Sequence, residues 1–211
     1  MRRVFVNPEA PHRDAVQEAA ARIRGGGVVA LPTDTLYGLA VDPFRRDAVA
    51  RLFEIKGRPA DRAVPLMAYD EAQVTESIGT LPPMGGRLAS TFWPGPLTLL
   101  LMAPRTLSAD VTGGTGRVGV RVPAHAVARA VCRASGRPIT ATSANISGQP
   151  APASADDVER ALGSRIDLLL DGGLTRGGAP STIVDVTEAE PRLVRAGAIP
   201  WDEIQACVAR G

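Results

Sequence analysis

Residues 114–123 read GTGRVGVRVP, and two parsings of this stretch lead to different folds. As GxGxxG, Gly114, Gly116 and Gly119 would form a dinucleotide fingerprint. That motif works only after a strand and at the start of a helix, with an acidic residue about 20 positions on. Here RVGVRVP is β-patterned, and residues 134–140, ASGRPIT, hold no acid. The glycines therefore belong to a strand and the turn before it. No GxxxxGK(S/T) run is present either, which excludes a P-loop.

Outward from this strand, helical and extended patterns alternate. DAVQEAAARIRGGG puts Ala15, Val16, Ala19, Ala20 and Ile23 on one stripe, stopped by Gly25–Gly27. VVALP is a short apolar strand, and DAVARLFEIKG repeats the helical pattern through Val49, Leu52 and Phe53. A loop-rich section follows, then LTLLLMA as a strand. PAHAVARAVCRASG is a predicted helix with Pro123 at its first position, and PITATSA a strand. SADDVERALG opens with a capping box, Ser154 with Asp157. RIDLLLDGG, STIVDVT and PRLVRAG are strands, and WDEIQACVARG a last helix. The class is α/β with a mixed sheet, as one domain over residues 1–211.

Composition narrows the chemistry. A net charge of +2 means that anion binding must come from local clusters of arginine. Cys132 and Cys207 lie on amphipathic helical patterns without a CxxC pair, so buried reduced thiols are expected. His12 and His125 sit near helix starts without HExxH spacing, so no histidine metal site is expected. The N-terminal stretch is too short for a secretory leader. The apolar run LTLLLMA is far below the roughly 20 residues of a membrane span. A cytoplasmic location is expected.

Four stretches are dense in chemistry. LPTDTLYGLAVDP follows a strand and presents Thr33, Asp34, Thr35 and Tyr37, where open α/β sheets place ligands; a hydroxyl-satisfied turn is the plainer reading. IKGRPADR puts Lys56, Arg58 and Arg62 at a helix end, where cations also complement the helix dipole. Lys56 is the only lysine beside 23 arginines. An ammonium is a compact point charge and a good phosphate binder, whereas a guanidinium is a planar fork. TATSANISGQPAP offers Ser143, Asn145 and Ser147 as a nucleotide- or carboxylate-holding loop, or as a capping turn. GAPSTIVDV and RLVRAG add Ser181, Thr182 and Arg195.

In this order, the segments GGVVALPTDTLYGLAVD, IKGRP, FWPGPLTLLL, VGVRVP, TSANISGQP, DGG, PSTIVDV and VRAGAI resemble the YrdC-like family of threonylcarbamoyl-AMP synthases. The resemblance runs from about Ala15 to Gly197. It implies a twisted mixed sheet flanked by helices around a concave basic groove. It also implies an enzyme joining L-threonine, bicarbonate and ATP into threonylcarbamoyl-AMP and pyrophosphate, for threonylcarbamoyladenosine modification of tRNA. Mg2+ would accompany ATP, and the product would pass to a tRNA threonylcarbamoyl-transfer complex.

By the same resemblance, Lys56 and Arg58 would meet the phosphates and the carbonate-derived group as catalytic residues. Thr35, Arg121, Ala141 and Ser181 would hold threonine, with Arg121 on its carboxylate. Ser143, Asn145 and Arg195 would hold ATP, and Arg62, Arg117 and Ala151 fall near the nucleotide. Met67 stands where many relatives place a threonine-contacting histidine, which bears on amino-acid affinity. By the same resemblance the short form, without an extra C-terminal domain, is expected. The loop from Arg58 to Met67 has Gly and Pro hinges suited to a lid.

The rival readings are a non-catalytic module with weak RNA binding and a same-fold carbamoyl-transfer paralogue with different specificity. The near-neutral charge and 4% aromatic content disfavour the first. Zinc-finger and transferase segments would accompany the second.

Overall fold

The computed structural model describes residues 1–58 and 62–209. In chain order the elements are β1 (Arg2–Phe5), α1 (Arg13–Arg24), β2 (Val29–Leu31), β3 (Gly38–Ala40), α2 (Arg46–Lys56), β4 (Leu66–Met67), α3 (Glu71–Ser77) and α4 (Pro83–Phe92). Then come β5 (Leu97–Met102), α5 (Ala109–Thr112), β6 (Arg117–Arg121), α6 (Ala126–Ser135), β7 (Ile139–Thr140) and β8 (Thr142–Ser143). The chain continues through α7 (Ala155–Leu162), a 3-10 turn (Gly163–Arg165), β9 (Leu168–Asp171), β10 (Thr182–Asp185), β11 (Arg192–Arg195) and α8 (Trp201–Ala209).

The strands form two mixed sheets in the orders β1-β9-β2-β3-β8 and β11-β10-β5-β6-β4-β7. β9 runs parallel to β1 and β2, and β10 parallel to β5, whereas β5–β6 and β2–β3 are antiparallel. One short stretch serves both sheets. Thr140 belongs to β7 and Thr142 to β8, and between them Ala141 donates its N–H to the Pro65 carbonyl at 2.7 Å.

Alternation along the strands separates the layers. In the first sheet Val29, Leu31, Leu168 and Leu170 face α1 and α6, while Ala30, Leu39 and Leu169 face the larger core with Leu52 of α2 and Val158 of α7. In the second sheet Leu97, Leu99, Leu101, Val118 and Val120 join that same core. Its opposite face is left for other use.

Most predicted elements are present. The stripe Ala15, Val16, Ala19, Ala20 and Ile23 is buried on α1, and the capping box holds, with Ser154 Oγ accepting from the Asp157 N–H at 3.1 Å. Some details differ. Helix α6 begins at Ala126 with His125 as its N-cap, so Pro123 precedes the helix. The Ala124 N–H is instead turned to the Asp34 carboxylate at 3.4 Å. Cys132 is buried, but Cys207 is only partly so, because α8 buries Ile204 and leaves most of its surface open.

The loop-rich section contains α3 and α4. Asp70 caps α3 by accepting from Gln73 N–H, and Pro83 opens α4. Strands β1, β3 and β4 are likewise additional to the sequence reading. Among the described residues, no helix is long and apolar enough to cross a membrane.

Candidate active site

The free face of the second sheet is the floor of a cavity of about 710 Å³. Every second residue points into it: Thr98 and Leu100 from β5, Arg117, Gly119 and Arg121 from β6, Ile183 from β10, and Arg192 and Val194 from β11. Gly119 keeps this floor low. A Cβ there would lie 3.0 Å from Thr98 Cγ2 and 3.3 Å from Leu100 Cδ2. The last glycine of the apparent dinucleotide motif thus clears space in a strand.

The wall comes from the first sheet and its loops. Thr33 Oγ1 donates to the Leu36 carbonyl at 2.7 Å and accepts from the Thr35 N–H at 3.2 Å. Thr33 therefore builds the turn, and Thr35 is left at the cavity wall, 3.1 Å from it hydroxyl to hydroxyl. Tyr37 is wholly buried. Its hydroxyl donates to the Gly173 carbonyl at 2.8 Å and accepts from Gly172 N–H at 3.1 Å. Burial pushes its phenol up to about 12, which suits a structural tie and not an acid.

Charge is concentrated at two places. Arg121 Nη2 donates to Asp34 Oδ1 at 2.5 Å, both side chains largely buried. Burial lowers the guanidinium's pKa, and the Asp34 charge opposes that shift. Arg195 donates to the Ser181 carbonyl at 2.8 Å and to Ser181 Oγ at 3.0 Å, and Thr98 Oγ1 meets the same hydroxyl at 2.8 Å. Burial, then the neighbouring Arg121, lowers the Arg195 pKa. At the other end Arg117 bridges Asp185 at 3.0 Å and Glu188 at 2.9 Å. Burial opposes the Asp185 charge, but hydrogen bonds from Thr187 and Arg192 hold its pKa down.

Thr35, Arg58, Met67, Arg117, Arg121, Ala141, Ser143, Ala151, Ser181 and Arg195 all border this cavity. Met67 is 1% exposed and otherwise sits among Val127, Ala128, Val131, Cys132 and Ile139. Arg58 donates to the Ala63 carbonyl at 2.8 Å and lies 6.0 Å over the Phe53 ring. Among the described residues, Lys56, Asn145 and Arg62 are not part of the lining. Residues 59–61, within the stretch expected to act as a lid, lie outside the described residues.

Lys56 is only 3% exposed, and its ammonium reaches the Ser143 carbonyl at 2.6 Å, the Asn145 carbonyl at 2.9 Å and Asn145 Oδ1 at 3.3 Å. Burial, then the charge of Arg58, brings its pKa down to about 8. The sequence reading did not place Thr98, Gly119, Ile183 or Val194 at the site. The period-two pattern of LTLLLMA and RVGVRVP was the signal that could have placed the first two on one face. A second cavity of about 410 Å³, between α4 and α8 and bordered by Arg87, Glu203 and Cys207, contains none of the candidate residues.

The Sua5/YciO/YrdC family model, described as "Telomere recombination", matches residues 21–197. The chain belongs to the Sua5/YciO/YrdC family.

It is 42% identical over 193 residues to threonylcarbamoyl-AMP synthase of Pyrococcus abyssi, covering 92% of this chain and 57% of that one. With the threonylcarbamoyl-AMP synthase of Bacillus subtilis the identity is 41% over 194 residues, covering 92% and 56%. The chain therefore spans little more than half the length of these two relatives. The crystal structure of P. abyssi Sua5 complexed with L-threonine superposes with a TM-score of 0.92 at 40% identity, over 98% of this chain and 61% of that one.

The arrangement of two mixed sheets flanked by helices is thus the Sua5/YciO/YrdC fold. The segment before residue 21 adds β1 and the first turns of α1 to the span of the family model.

Proposed function

We propose that this chain is an L-threonylcarbamoyladenylate synthase, a nucleotidyltransferase that joins L-threonine, bicarbonate and ATP into threonylcarbamoyl-AMP and pyrophosphate. The observation that carries the reading is the cavity itself. The face of the second sheet and the loops of the first bring Arg117, Arg121 and Arg195 together with Thr35, Ser143 and Ser181 in a space of about 710 Å³. Relatives named for this activity, and one solved with L-threonine, support it.

The chemistry asks little covalent work of the protein. The free amine of threonine forms a carbamate either with bicarbonate, releasing water, or with CO2, releasing a proton. A carbamate oxygen attacks the α-phosphorus of ATP, and pyrophosphate leaves with the electrons of the broken P–O bond. Positioning and electrostatic stabilisation carry such transfers. In this reading Arg121, held by Asp34, takes the threonine carboxylate, with Thr35, Ser181 and the Ala141 backbone around the amino acid. Arg58, Arg117, Ser143, Ala151 and Arg195 face the nucleotide, with Arg62 near its outer end.

Mg2+ enters as the MgATP substrate. Its ligands would be mainly phosphate oxygens and water, because Mg2+ gives up its waters reluctantly. We place the enzyme in the cytoplasm and its product in the hands of a tRNA threonylcarbamoyl-transfer complex.

The test is pyrophosphate release from MgATP and bicarbonate with single amino acids added in turn. Release that depends on both bicarbonate and L-threonine is the expected result. Release without either, or none with any amino acid, would remove the proposal.

A further inference from the structure

We infer that Lys56 is a positioning residue, which fixes the Ser143–Gln149 loop from beneath the cavity without touching substrate. This deepens the proposed function, because it rests on that loop facing the nucleotide.

An ammonium has three N–H bonds and no acceptor. Three oxygens of the loop lie within hydrogen-bond reach: the Ser143 carbonyl, the Asn145 carbonyl and Asn145 Oδ1. All three donors are therefore engaged by neutral protein acceptors, and the residue is 3% exposed. Nothing of the ammonium is left for a phosphate.

The backbone of the same residue adds a further hold, since the Lys56 carbonyl accepts from Ser147 N–H at 2.9 Å. Residue 56 thus grips the loop at positions 143, 145 and 147. The loop closes on itself above this grip: Ser143 Oγ donates to Asn145 Oδ1, and Asn145 Nδ2 donates to the Gln149 carbonyl, each at 2.5 Å. Ser143 and Ala151 are carried to the cavity wall, while Lys56 and Asn145 stay behind it.

The choice of lysine follows. Three acceptors converge on one point, which a compact ammonium can meet tetrahedrally. A guanidinium spreads its donors in a plane and is too wide for the same point. The charge also matters. Among the described residues, no carboxylate pairs with Lys56. Its field is therefore not cancelled by an ion pair, and it acts through a buried medium toward a cavity suited to anions.

The test compares Lys56→Arg and Lys56→Met with the unaltered protein by amide hydrogen exchange without ligand, and by steady-state pyrophosphate release. A ligand contact would alter the loop only when nucleotide is bound; a positioning residue alters it beforehand. Amides of residues 144–149 should exchange at least about tenfold faster in both variants, the change produced by losing one charged hydrogen bond, and faster still in Lys56→Met, which loses all three. KM for ATP should rise about tenfold for the same reason, with KM for threonine unchanged.

Unchanged protection of the loop, whatever happens to turnover, would overturn the inference. If Lys56→Met does not fold, Asn145→Ala removes one of the three acceptors and should expose the same amides; intact protection there overturns it equally. The exchange measurement needs no turnover, so failure of the synthase reading would be seen separately in the unaltered protein.

Discussion

Asp34 and Arg121, 87 residues apart in sequence, form a nearly buried ion pair at the edge of the cavity, side chains 15% and 10% exposed. The aspartate comes from the turn after β2 and the arginine from the end of β6, so the pair ties the two sheets together where the amino acid is proposed to bind. Removing one partner of such a pair leaves the other charge uncompensated. Asp34→Ala should destabilise the fold by about 3–5 kcal/mol. Replacing both, with Asp34→Ala and Arg121→Met, should recover part of that loss, because neither charge then remains. Urea denaturation of the three proteins checks this. A double variant no more stable than Asp34→Ala alone would show that the ion pair is not the relevant coupling.

Gly119 permits a sharper test of the cavity. A β-branched side chain placed there meets Thr98, Leu100 and Pro65 within 3.5 Å. Gly119→Val should fill the floor at a cost of about 1–3 kcal/mol from overpacking. Turnover should fall by about 10²-fold or more, since displacement of bound groups by about 1 Å has that effect. Circular dichroism would establish that the sheet is retained, and initial rates would give the loss.

These two residues also show what the sequence made legible. The strand through Gly119 could be read from alternation, and the arginines facing the cavity from their motifs. That Arg121 is paired to Asp34 could not be read, because the contact joins distant segments. The bonds of Lys56 to Ser143 and Asn145, 87 and 89 residues away, were hidden for the same reason. Helix α4 was missed because Gly85 and Gly86 weaken its local preference. It is held by burying Met84, Leu88 and Ala89, a tertiary contribution that no short window contains. Strand β4 is two residues long and exists through its neighbours β6 and β7.

The lowered pKa of Lys56 gives a pH dependence of stability with a definite sign. Its folded value is about 8, against an ordinary 10.5. Between these values the unfolded chain binds the proton more often than the folded one, so unfolding takes up protons and stability rises with pH. The contribution is complete above about 10.5 and is lost as pH falls through about 8. Lys56→Met should lack this component. Comparing denaturant midpoints of the two proteins between pH 7.5 and pH 10, a range set by these shifts, would reveal it. A constant difference between the two would contradict the expectation.

Met67 closes one side of the cavity while belonging to the cluster between β4 and α6. Met67→Ala should cost about 2–5 kcal/mol, as large-to-small core changes do. If the amino acid binds beside it, the enlarged space should also narrow the preference for threonine over bulkier amino acids. Tm and the ratio of kcat/KM values measure the two effects independently.

The burial of Lys56 has a practical consequence. It is the only lysine, and its amine is enclosed. Amine-directed acylation of the native protein should therefore leave residue 56 unmodified at first. A slow adduct at that residue would time the openings that uncover it. The protein thus carries a built-in chemical clock for breathing of this region, readable by intact mass without an added probe.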